Sequence, residues 1–332
     1  MFDAGAKCVS IALAVLVLDS LRLCADGADP GDAAMLERLR AADAAVSSRF
    51  TILFEMELPS SFILFDHSRK TELCTITQRE GVRAVECETT EYPPVVYRAP
   101  GTGSYTELDY DDEGNLIIWR VASRRSLMDA TTNETLWEHR GIIVDPGGQV
   151  IREMKTAMRS VFRLTDPHDW YEVDRWCLAA GIGFSDRLEK AAEQAADEKG
   201  MIRLRGKGSY CASEEGNWEL TVDPKREFLV RSAQFTGERS DKPSIVLSSS
   251  GAMRFGDVVI PEEGRFEYPT IPERNETVLR FREYSPNGDE KLVARIREEL
   301  KRAKADDNVG LMDYRDNPDR PTMTRSAPPD RR

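Results

Sequence analysis

The sequence predicts an α+β domain built around one large antiparallel sheet. Short apolar runs that alternate with polar residues recur along most of the chain, which is the pattern of half-buried strands. Turn-forming glycine, proline and aspartate residues separate many of these runs. Amphipathic segments with helical spacing stand at the beginning, in the middle and near the end. Helices set apart from runs of strands are typical of the α+β class.

Composition limits the kinds of partner. The chain has 332 residues, of which 40% are apolar, so it can bury the core of one large domain. It carries 46 Lys and Arg against 58 Asp and Glu, a formal net charge of −12. Nucleic acids and anionic membrane surfaces both attract basic proteins, so neither is expected as the main partner.

An apolar run over residues 9–18 lies close to the start of the chain. It follows Lys7 and precedes a stretch of mostly small residues at 24–28, as the apolar part of a secretory signal peptide does. The run is shorter than the roughly 20 residues that span a bilayer, and no later run reaches that length. We therefore predict a signal peptide over residues 1–27, a periplasmic or secreted mature chain, and no transmembrane segment within it. The alternative is an apolar N-terminus that is retained.

The mature chain begins with a predicted helix. Asp29-Pro30 can start it, and its apolar positions recur at helical spacing, namely Met35, Leu39, Ala42 and Val46. From Arg49 onward the pattern changes to period two or short apolar runs. This change predicts strands over residues 50–58 and 62–65.

Four cysteines remain after the predicted leader, an even number that suits a disulfide-permissive compartment. They are Cys74, Cys87, Cys177 and Cys211. The first two have a geometric reason to pair, given below. Cys177 with Cys211 is the remaining candidate pair, without geometric support.

Residues 70–78 and 82–90 are predicted to form a hairpin around Glu80-Gly81. A two-residue loop places Cys74 opposite Cys87 in a position where the two Cα atoms lie about 4.5 Å apart. That separation is close to the short limit for a disulfide, so this register predicts the bond. Two alternatives remain: a three-residue loop that moves the register by one, and two buried thiols.

Residues that favour turns recur in the next part of the sequence. Residues 111–115 separate predicted strands at 105–110 and 116–122, and a second turn is predicted at residues 145–148. A helical interlude is expected to follow, because apolar residues fall on one helical face at Ile151, Met154, Met158 and Val161. Further helical segments are predicted over residues 169–180 and 185–200, the second with Ser185 as its N-cap.

Strands return in the C-terminal half. They are predicted at residues 201–204, 218–222, 228–235, 244–249, 257–260 and 277–284. A charged helix with an apolar stripe at Leu292, Val293, Ile296 and Leu300 runs to about residue 305, with Glu298 four residues before Arg302. Residues 28–312 thus form one predicted domain, and residues 313–332 a mobile tail.

No catalytic or metal-binding pattern stands out. The acidic stretch that begins at Asp109 resembles a calcium loop, but its twelfth position is Arg120 instead of a glutamate. The three histidines lack the spacing of a metal site; they are His67, His139 and His168. No nucleophile elbow, phosphate-binding loop or carboxylate pair can be named. We therefore predict no cofactor, no metal and no catalytic residue, which favours a non-enzymatic protein.

The most distinctive stretch lies within residues 175–236. It reads Trp218-Glu219-Leu220, then Val222-Asp223-Pro224, then Phe228-Leu229-Val230-Arg231. A strand, an Asp-Pro turn and an aromatic-Leu-Val-Arg strand resemble a hairpin of the lipoprotein-carrier (LolA-like) family, and the wider stretch resembles uncharacterised exported bacterial proteins. The resemblance implies a curved antiparallel sheet, an incomplete barrel covered by helices, whose apolar concavity holds acyl chains.

On that resemblance, six residues are candidates for lining a ligand cavity: Phe50, Phe54, Trp218, Leu220, Phe228 and Val230. The alternative is a packed core in which the same residues contact only protein. The function expected first is an exported, non-enzymatic structural or interaction protein of the cell envelope, with an envelope protein as partner. The alternatives are a carrier for a lipid, an acyl chain or a lipoprotein, and a hydrolase of unknown substrate.

Overall fold

The computed structural model describes residues 30–59, 69–91, 108–110, 114, 116–161, 171–194, 200–210, 214–269, 276–287, 289–315 and 322–324. The predicted signal peptide at residues 1–27 and the predicted strand at residues 62–65 lie outside these ranges. The division into leader, single domain and tail therefore stays a prediction.

The N-terminal half of the described chain contains one helix followed by strands. These elements are α1 (Pro30–Ser47), β1 (Arg49–Pro59), β2 (Arg69–Arg79), β3 (Val82–Glu91), β4 (Leu108–Tyr110), β5 (Leu116–Asp129), β6 (Glu134–Val144) and β7 (Val150–Val161). The turn predicted at residues 145–148 joins β6 to β7. There the amide of Gly148 donates to the carbonyl oxygen of Asp145 at 2.9 Å.

The C-terminal half adds two helices and further strands. These are α2 (Tyr171–Ala179), β8 (Leu188–Gln194), β9 (Ile202–Ser209), β10 (Glu215–Asp223), β11 (Leu229–Gly237), β12 (Ile245–Ser250), β13 (Met253–Phe255), β14 (Val258–Ile260), β15 (Glu263–Glu267), β16 (Thr277–Ser285), α3 (Leu292–Ala305), β17 (Gly310–Asp313) and β18 (Thr322–Thr324). Six of the strands lie where the sequence predicts them, and α3 matches the predicted charged helix.

Sixteen of the described strands form one sheet, and β13 and β14 form a separate pair. The order is β18-β17-β7-β6-β5-β3-β2-β1-β16-β15-β12-β11-β10-β9-β8, with β4 beside β5. Neighbouring strands are antiparallel except β7 and β17, which are parallel. The order has two ends, so the sheet is not closed. The prediction of a large antiparallel sheet is confirmed.

The hairpin of β2 and β3 has the predicted register. Cys74 pairs with Cys87 across the two strands, and Arg79 pairs with Val82 at the turn. Glu80 and Gly81 both have positive φ, at 49° and 78°, as a type I′ two-residue turn requires. The Cα atoms of Cys74 and Cys87 lie 4.1 Å apart and the two residues form a disulfide. The alternatives of a three-residue loop and of two free thiols are wrong.

The two faces of the sheet can be told apart on β3. Val85 and Cys87 belong to one apolar cluster, whereas Val82 and Ala84 belong to another. Successive strand residues point to opposite faces, so the clusters lie on opposite sides of the sheet. The face that carries Cys87 is called the inner face below, and the face that carries Ala84 the outer face.

Helix α3 packs on the outer face. Its buried residues are Leu292, Ile296, Leu300 and Ala303. Polar contacts also fix it: Arg297 Nε donates to the buried carboxylate of Asp129 at 2.9 Å. Arg125 donates to both oxygens of Glu299 at 2.5 and 2.9 Å. The predicted pair of Glu298 and Arg302 is present at 3.2 Å, on the exposed side of the helix.

The helix predicted from Ile151 to Val161 is wrong, because these residues form strand β7. Its pairing with β6 runs from Val150 opposite Val144 to Val161 opposite Glu134. Side chains 150–153 are all exposed, so burial does not select the apolar positions there. The helical spacing that suggested a helix is therefore incidental.

The helix predicted over residues 185–200 is also wrong. Ser185–Arg187 form a single 3-10 turn, and β8 follows and pairs with β9. Ser185 does not cap a helix; it donates to Asp43 of α1 instead. Residues 195–199 lie outside the ranges that the structure describes.

The structure describes part of the predicted mobile tail. Thr322–Thr324 form β18, which pairs with β17 through Met323 opposite Met312. Residues 316–321 and 325–332 lie outside the description.

Among the helices of the described ranges, none is both long and apolar enough to cross a bilayer.

Candidate ligand-binding site

The inner face of the sheet is apolar over most of its width. On β1 every second side chain is buried, as the period of a half-buried strand requires; the four are Phe50, Ile52, Phe54 and Met56. The same apolar cluster includes Val85 on β3 and Leu188 on β8. It therefore extends from β3, past the middle of the sheet, to the strand at its end.

Trp218 on β10 forms the centre of the C-terminal part of this cluster. The centroid of its ring lies 5.7 Å from that of Phe184, 5.2 Å from Phe235 and 6.1 Å from Tyr210. Its Nε1 donates to the carbonyl oxygen of Ser209 at 3.0 Å. Tilted and edge-to-face rings at these distances attract each other, and the indole donor is satisfied.

Helix α1 contacts β1 in the middle of the sheet order and β8 at its end. Leu36 and Leu39 bury their side chains in the inner cluster. Asp43, one turn further along, is also buried. The buried stripe thus differs from the predicted one, because Ala42 and Val46 are only partly buried. The side chain of Met35 lies outside the description.

The Asp43 carboxylate joins α1 to the segment between α2 and β8. It accepts hydrogen bonds from the amides of Gly183 and Ser185, each at 2.7 Å. It also accepts one from the Ser185 hydroxyl at 2.5 Å. A carboxylate can be buried without a large penalty only when donors of this kind surround it. These bonds explain why a charged residue replaces an apolar one in the buried stripe.

Helix α2 is held over the inner face by Asp174 and Trp176. The Asp174 carboxylate accepts from Arg83 at 2.9 Å and from Arg187 at 2.7 Å. The ring of Trp176 lies 5.8 Å from that of Phe54, and the guanidinium carbon of Arg124 lies 5.0 Å from the centroid of the same indole. Trp176 therefore stands where the apolar part of the inner face meets its polar part.

Cys177 on α2 is a free and buried thiol. Burial raises the pKa of this thiol to about 11, and the nearby guanidinium of Arg83 opposes that change only in part. Cys211, its candidate partner, lies outside the described ranges.

Four polar residues border the apolar part of the inner face; we call them the basic rim and define it as Lys70, Glu72, Arg124 and His139. Glu72 is buried, with 1% of its side chain exposed. One oxygen of its carboxylate forms an ion pair with Lys70 Nζ at 2.5 Å. The other oxygen accepts a hydrogen bond from Arg124 Nη2 at 2.9 Å. A single buried carboxylate therefore lies between two cations, which is the pairing that burial of a charge requires.

His139 lies opposite Arg124 in the pairing of β5 and β6 and is exposed to solvent. Its pKa is lowered, first because the surrounding protein displaces water from part of its ring, and then because Arg124 and Lys70 repel its protonated form. The imidazole is therefore neutral at pH 7. Of the other two histidines, His67 and His168, neither lies in the described ranges.

The Glu72 carboxylate also lies beside the two sulfurs of Cys74 and Cys87, with ligand atoms within 4.8 Å of one another. The disulfide occupies both sulfurs. As long as that bond is intact, the three groups do not form a set of metal ligands, since only thiolate sulfur binds metal strongly.

The structure brings the six predicted cavity residues onto one surface. Five of them are buried members of the inner cluster, and the sixth is half-buried against it; the five are Phe50, Phe54, Trp218, Leu220 and Val230, and the sixth is Phe228. Whether they bind a ligand stays a prediction.

Sequence reasoning missed Asp43, Glu72, Trp176 and Arg124 as residues of this site. Glu72 had a usable signal, because a residue two positions before Cys74 must share its face of the strand. Arg124 had none, because its place beside Cys87 depends on the pairing of β3 with β5.

A separate cavity of about 400 Å³ lies on the outer face between α3 and β6. Its walls include Leu136, Glu138, Arg295, Glu299 and Arg302. Two of these carboxylates, those of Glu138 and Glu299, pair with Arg125. Glu299 thus helps to hold α3 to the sheet through Arg125, whereas Arg295 pairs with Asp289 and Arg302 with Glu298 of the same helix.

No protein-family model matches this chain, and no curated protein matches its sequence. Among solved structures, one similar to it is a DUF1329 family protein from Desulfovibrio piger, 10% identical, covering 78% of this chain and 93% of that chain at a TM-score of 0.42. Another is a LolA superfamily protein from Nitrosomonas europaea, 12% identical, covering 76% and 93% at a TM-score of 0.42. The second bears the name of the family that the hairpin of residues 218–231 resembles. Similarity at this level supports no statement about function.

Proposed function

We propose that this chain is an exported, non-enzymatic carrier that holds the acyl part of a lipid or lipoprotein against the inner face of its sheet, under a cover formed by α1 and α2. One observation carries the proposal: an unclosed sheet presents a continuous apolar face from β3 to β8. An apolar surface of that extent must be covered by protein or by a ligand. The six candidate residues Phe50, Phe54, Trp218, Leu220, Phe228 and Val230 are the ones that the acyl chain would contact.

The attachment of α1 supports the idea that part of this cover can move. Among the side chains of α1 that the structure describes, those of Leu36 and Leu39 are deeply buried in the apolar cluster. Val46 packs against the same cluster in part, and hydrogen bonds complete the attachment, three of them to the Asp43 carboxylate. A segment with few buried apolar contacts opens at a lower free energy than the core does. An acyl chain could then take the place of the two leucines.

Export is supported by the disulfide of Cys74 and Cys87. Such bonds persist in oxidising compartments and are rare in the cytosol. Together with the predicted leader at residues 1–27, the bond favours a periplasmic or secreted location.

The test of the carrier function uses N-phenyl-1-naphthylamine, which fluoresces in apolar surroundings, and its displacement by 1-dodecanol. We expect the wild-type protein to bind the probe and Asp43→Asn to bind it faster, because α1 is less firmly held. Glu37→Gln is the matched control, since Glu37 is an exposed residue of the same helix, and it should behave like the wild type. Native mass spectrometry of protein isolated gently from its own envelope should show bound lipid. The proposal would be overturned if neither the wild type nor Asp43→Asn bound the probe and the native mass spectrum showed no bound lipid.

A second candidate function is an interaction with an envelope protein, and exposed apolar residues on β7 favour it. Val150 is 48% exposed and Ile151 57% exposed. As successive strand residues they point to opposite faces, so the first part of β7 presents one large apolar side chain to water on each face, and such side chains are available for contact with a partner. Cross-linking in the envelope should then capture a partner that survives delipidation and is lost in a Val150→Ser/Ile151→Ser variant. Retention of the same partner by that variant would remove this candidate.

A further inference from the structure

We propose that Glu72, Cys74 and Cys87 form a binding site for a divalent ion that prefers sulfur ligands, such as Zn²⁺, when the disulfide is reduced. The intact bond closes this site, so binding depends on the redox state of the hairpin. The site is a property of the β2–β3 hairpin, and the proposal goes beyond the carrier function without depending on it.

The three ligand atoms already stand close together. One carboxylate oxygen of Glu72 and the two sulfurs lie within 4.8 Å of one another, and Glu72 Oε2 lies 4.0 Å from Cys74 Sγ. Glu72 and Cys74 share a face of β2 because they are two positions apart. Cys87 lies directly opposite Cys74 on β3. The paired backbone of the hairpin therefore holds all three groups at one place.

The spacing of the two cysteines also suits one ion. Two thiolates bound to tetrahedral zinc at about 2.3 Å each have their sulfurs about 3.8 Å apart. That separation is an ordinary contact distance for two sulfurs that are not bonded to each other. Reduction would therefore allow the sulfurs to move apart by the amount that the ion needs, without a change in strand pairing.

Reduction by a dithiol opens the site. The dithiol gives up two electrons and two protons, so the sulfur–sulfur bond breaks, two thiols form and the dithiol becomes a disulfide. Zn²⁺ then displaces one proton from each thiol and binds two thiolates and the carboxylate. One dication replaces two protons, so the net charge of this buried place does not change. Transfer of two electrons from the thiolates to another disulfide reverses the reaction and releases the ion.

The basic rim supports Glu72 as a ligand. Lys70 Nζ lies 2.5 Å from one oxygen of its carboxylate, and Arg124 Nη2 lies 2.9 Å from the other. Carboxylates that bind metals are commonly held by outer donors of this kind, which fix their orientation. The side chains of Lys70 and Arg124 are 25% and 22% exposed. An ion can therefore reach Glu72 from the solvent side of the rim.

The absence of a metal-binding motif in the sequence does not bear on this site. Motifs of that kind are recognised by the spacing of ligands within one segment. Here Glu72 and Cys74 come from one strand and Cys87 from the next, 13 positions after Cys74. Only the pairing of β2 with β3 brings them together.

The experiment compares oxidised protein with protein that has been reduced by dithiothreitol and freed of it without oxygen. Competition with the chelator 4-(2-pyridylazo)resorcinol measures the affinity for Zn²⁺. We expect the reduced protein to bind one ion per chain, and the oxidised protein to bind at least about a hundredfold more weakly, because disulfide sulfur is a poor ligand. Co²⁺ in place of Zn²⁺ should show a thiolate-to-metal charge-transfer band in the reduced protein alone.

Variants identify the ligands. Cys74→Ser/Cys87→Ser should abolish both zinc binding and the cobalt band. Glu72→Gln should weaken zinc binding at least about tenfold, and so should Glu72→Asp, which keeps the charge but shortens the side chain. Both should keep the cobalt band. Cys177→Ser is the matched control, since Cys177 is a free, buried thiol on α2. It should change neither measurement.

Urea unfolding separates a site built by the fold from loose thiols. An ion that binds the folded state stabilises it, so Zn²⁺ should raise the urea midpoint of the reduced wild type and leave that of the oxidised protein unchanged. A lowered midpoint would show that zinc prefers the unfolded chain, and it would overturn the proposal. Equal binding by oxidised and reduced protein, or binding that persists in Cys74→Ser/Cys87→Ser, would overturn it as well.

Discussion

The carboxylate of Asp43 accepts a hydrogen bond of 2.5 Å from the hydroxyl of Ser185, although the two residues are 142 positions apart. With the two amide bonds to the same carboxylate, this contact ties the first helix to the segment that precedes β8.

Asp43→Ala should lower the free energy of unfolding by about 2–4 kcal/mol, because two amides and a hydroxyl lose their acceptor at a buried place. Urea denaturation measures the change. Glu37→Ala, on the exposed side of the same helix, should stay within about 0.5 kcal/mol of the wild type. If both variants lose the same small amount, Asp43 does not hold the helix.

The disulfide of Cys74 and Cys87 should stabilise the fold mainly by restricting the unfolded chain. The two residues are separated by 13 positions, so the bond closes a short loop. Cys74→Ser/Cys87→Ser should lower the free energy of unfolding by about 2–3 kcal/mol. Adding a dithiol reductant to the wild type should reproduce this loss, and the same reductant should not alter the double variant. A reductant effect that persists in the double variant would point to another bond.

Asp129 should make the stability depend on pH. Burial by itself would raise the pKa of this carboxyl, but hydrogen bonds from Thr131 and Arg297 outweigh it and hold the pKa below its ordinary value. A carboxyl of this kind stabilises the fold above its unfolded-state pKa, and that contribution is lost as the pH falls through the folded-state pKa.

Asp129→Asn should therefore lower the free energy of unfolding by about 2 kcal/mol at pH 7. The difference from the wild type should shrink as the pH falls from about 4, the ordinary pKa of the carboxyl in the unfolded chain, through the lower folded-state pKa. Unfolding curves at several pH values measure it, with the exposed Asp241→Asn as control. A difference that is constant from pH 7 to pH 3 would contradict the role of the charge.

Cys177 should be unreactive in the folded protein. Burial raises its pKa from 9.0 to about 11, so the thiolate that alkylating agents attack is about a hundredfold scarcer at pH 8. Iodoacetamide labelling read by peptide mass spectrometry should leave Cys177 unmodified in buffer and modify it fully in urea. Labelling in buffer at the rate of a free thiol would show that the helix opens readily.

Local features of this fold could be predicted from the sequence. The register of the β2–β3 hairpin followed from a two-residue loop and from the alternation around Cys74 and Cys87, because both constraints act within a few residues. The final helix was predictable for a similar reason: its apolar stripe is buried on one face, so Ile296 and Leu300 keep helical spacing.

Features that depend on distant partners were out of reach. Met154 and Met158 share a helical spacing by chance, because the first part of β7 is exposed and its apolar residues face no core. Asp43 occupies a core position only because Gly183 and Ser185 supply donors from elsewhere in the chain. Arg124 reaches the inner site through the pairing of β5 with β3, which single-strand periodicity does not specify.

The place of β1 in the sheet has a consequence for how the chain assembles. Most strand pairings on either side of it join neighbours in the sequence, whereas β1 meets β16 through contacts such as Arg280 with Glu55, 225 residues apart. Closing so long a loop is slow, so this seam is expected to form after the hairpins on both sides. Until it does, β1 has a bare edge, and two unfinished copies could exchange strands there. Aggregation should therefore be a greater risk for incompletely folded chains at high concentration, during synthesis or export, than for the folded protein on heating.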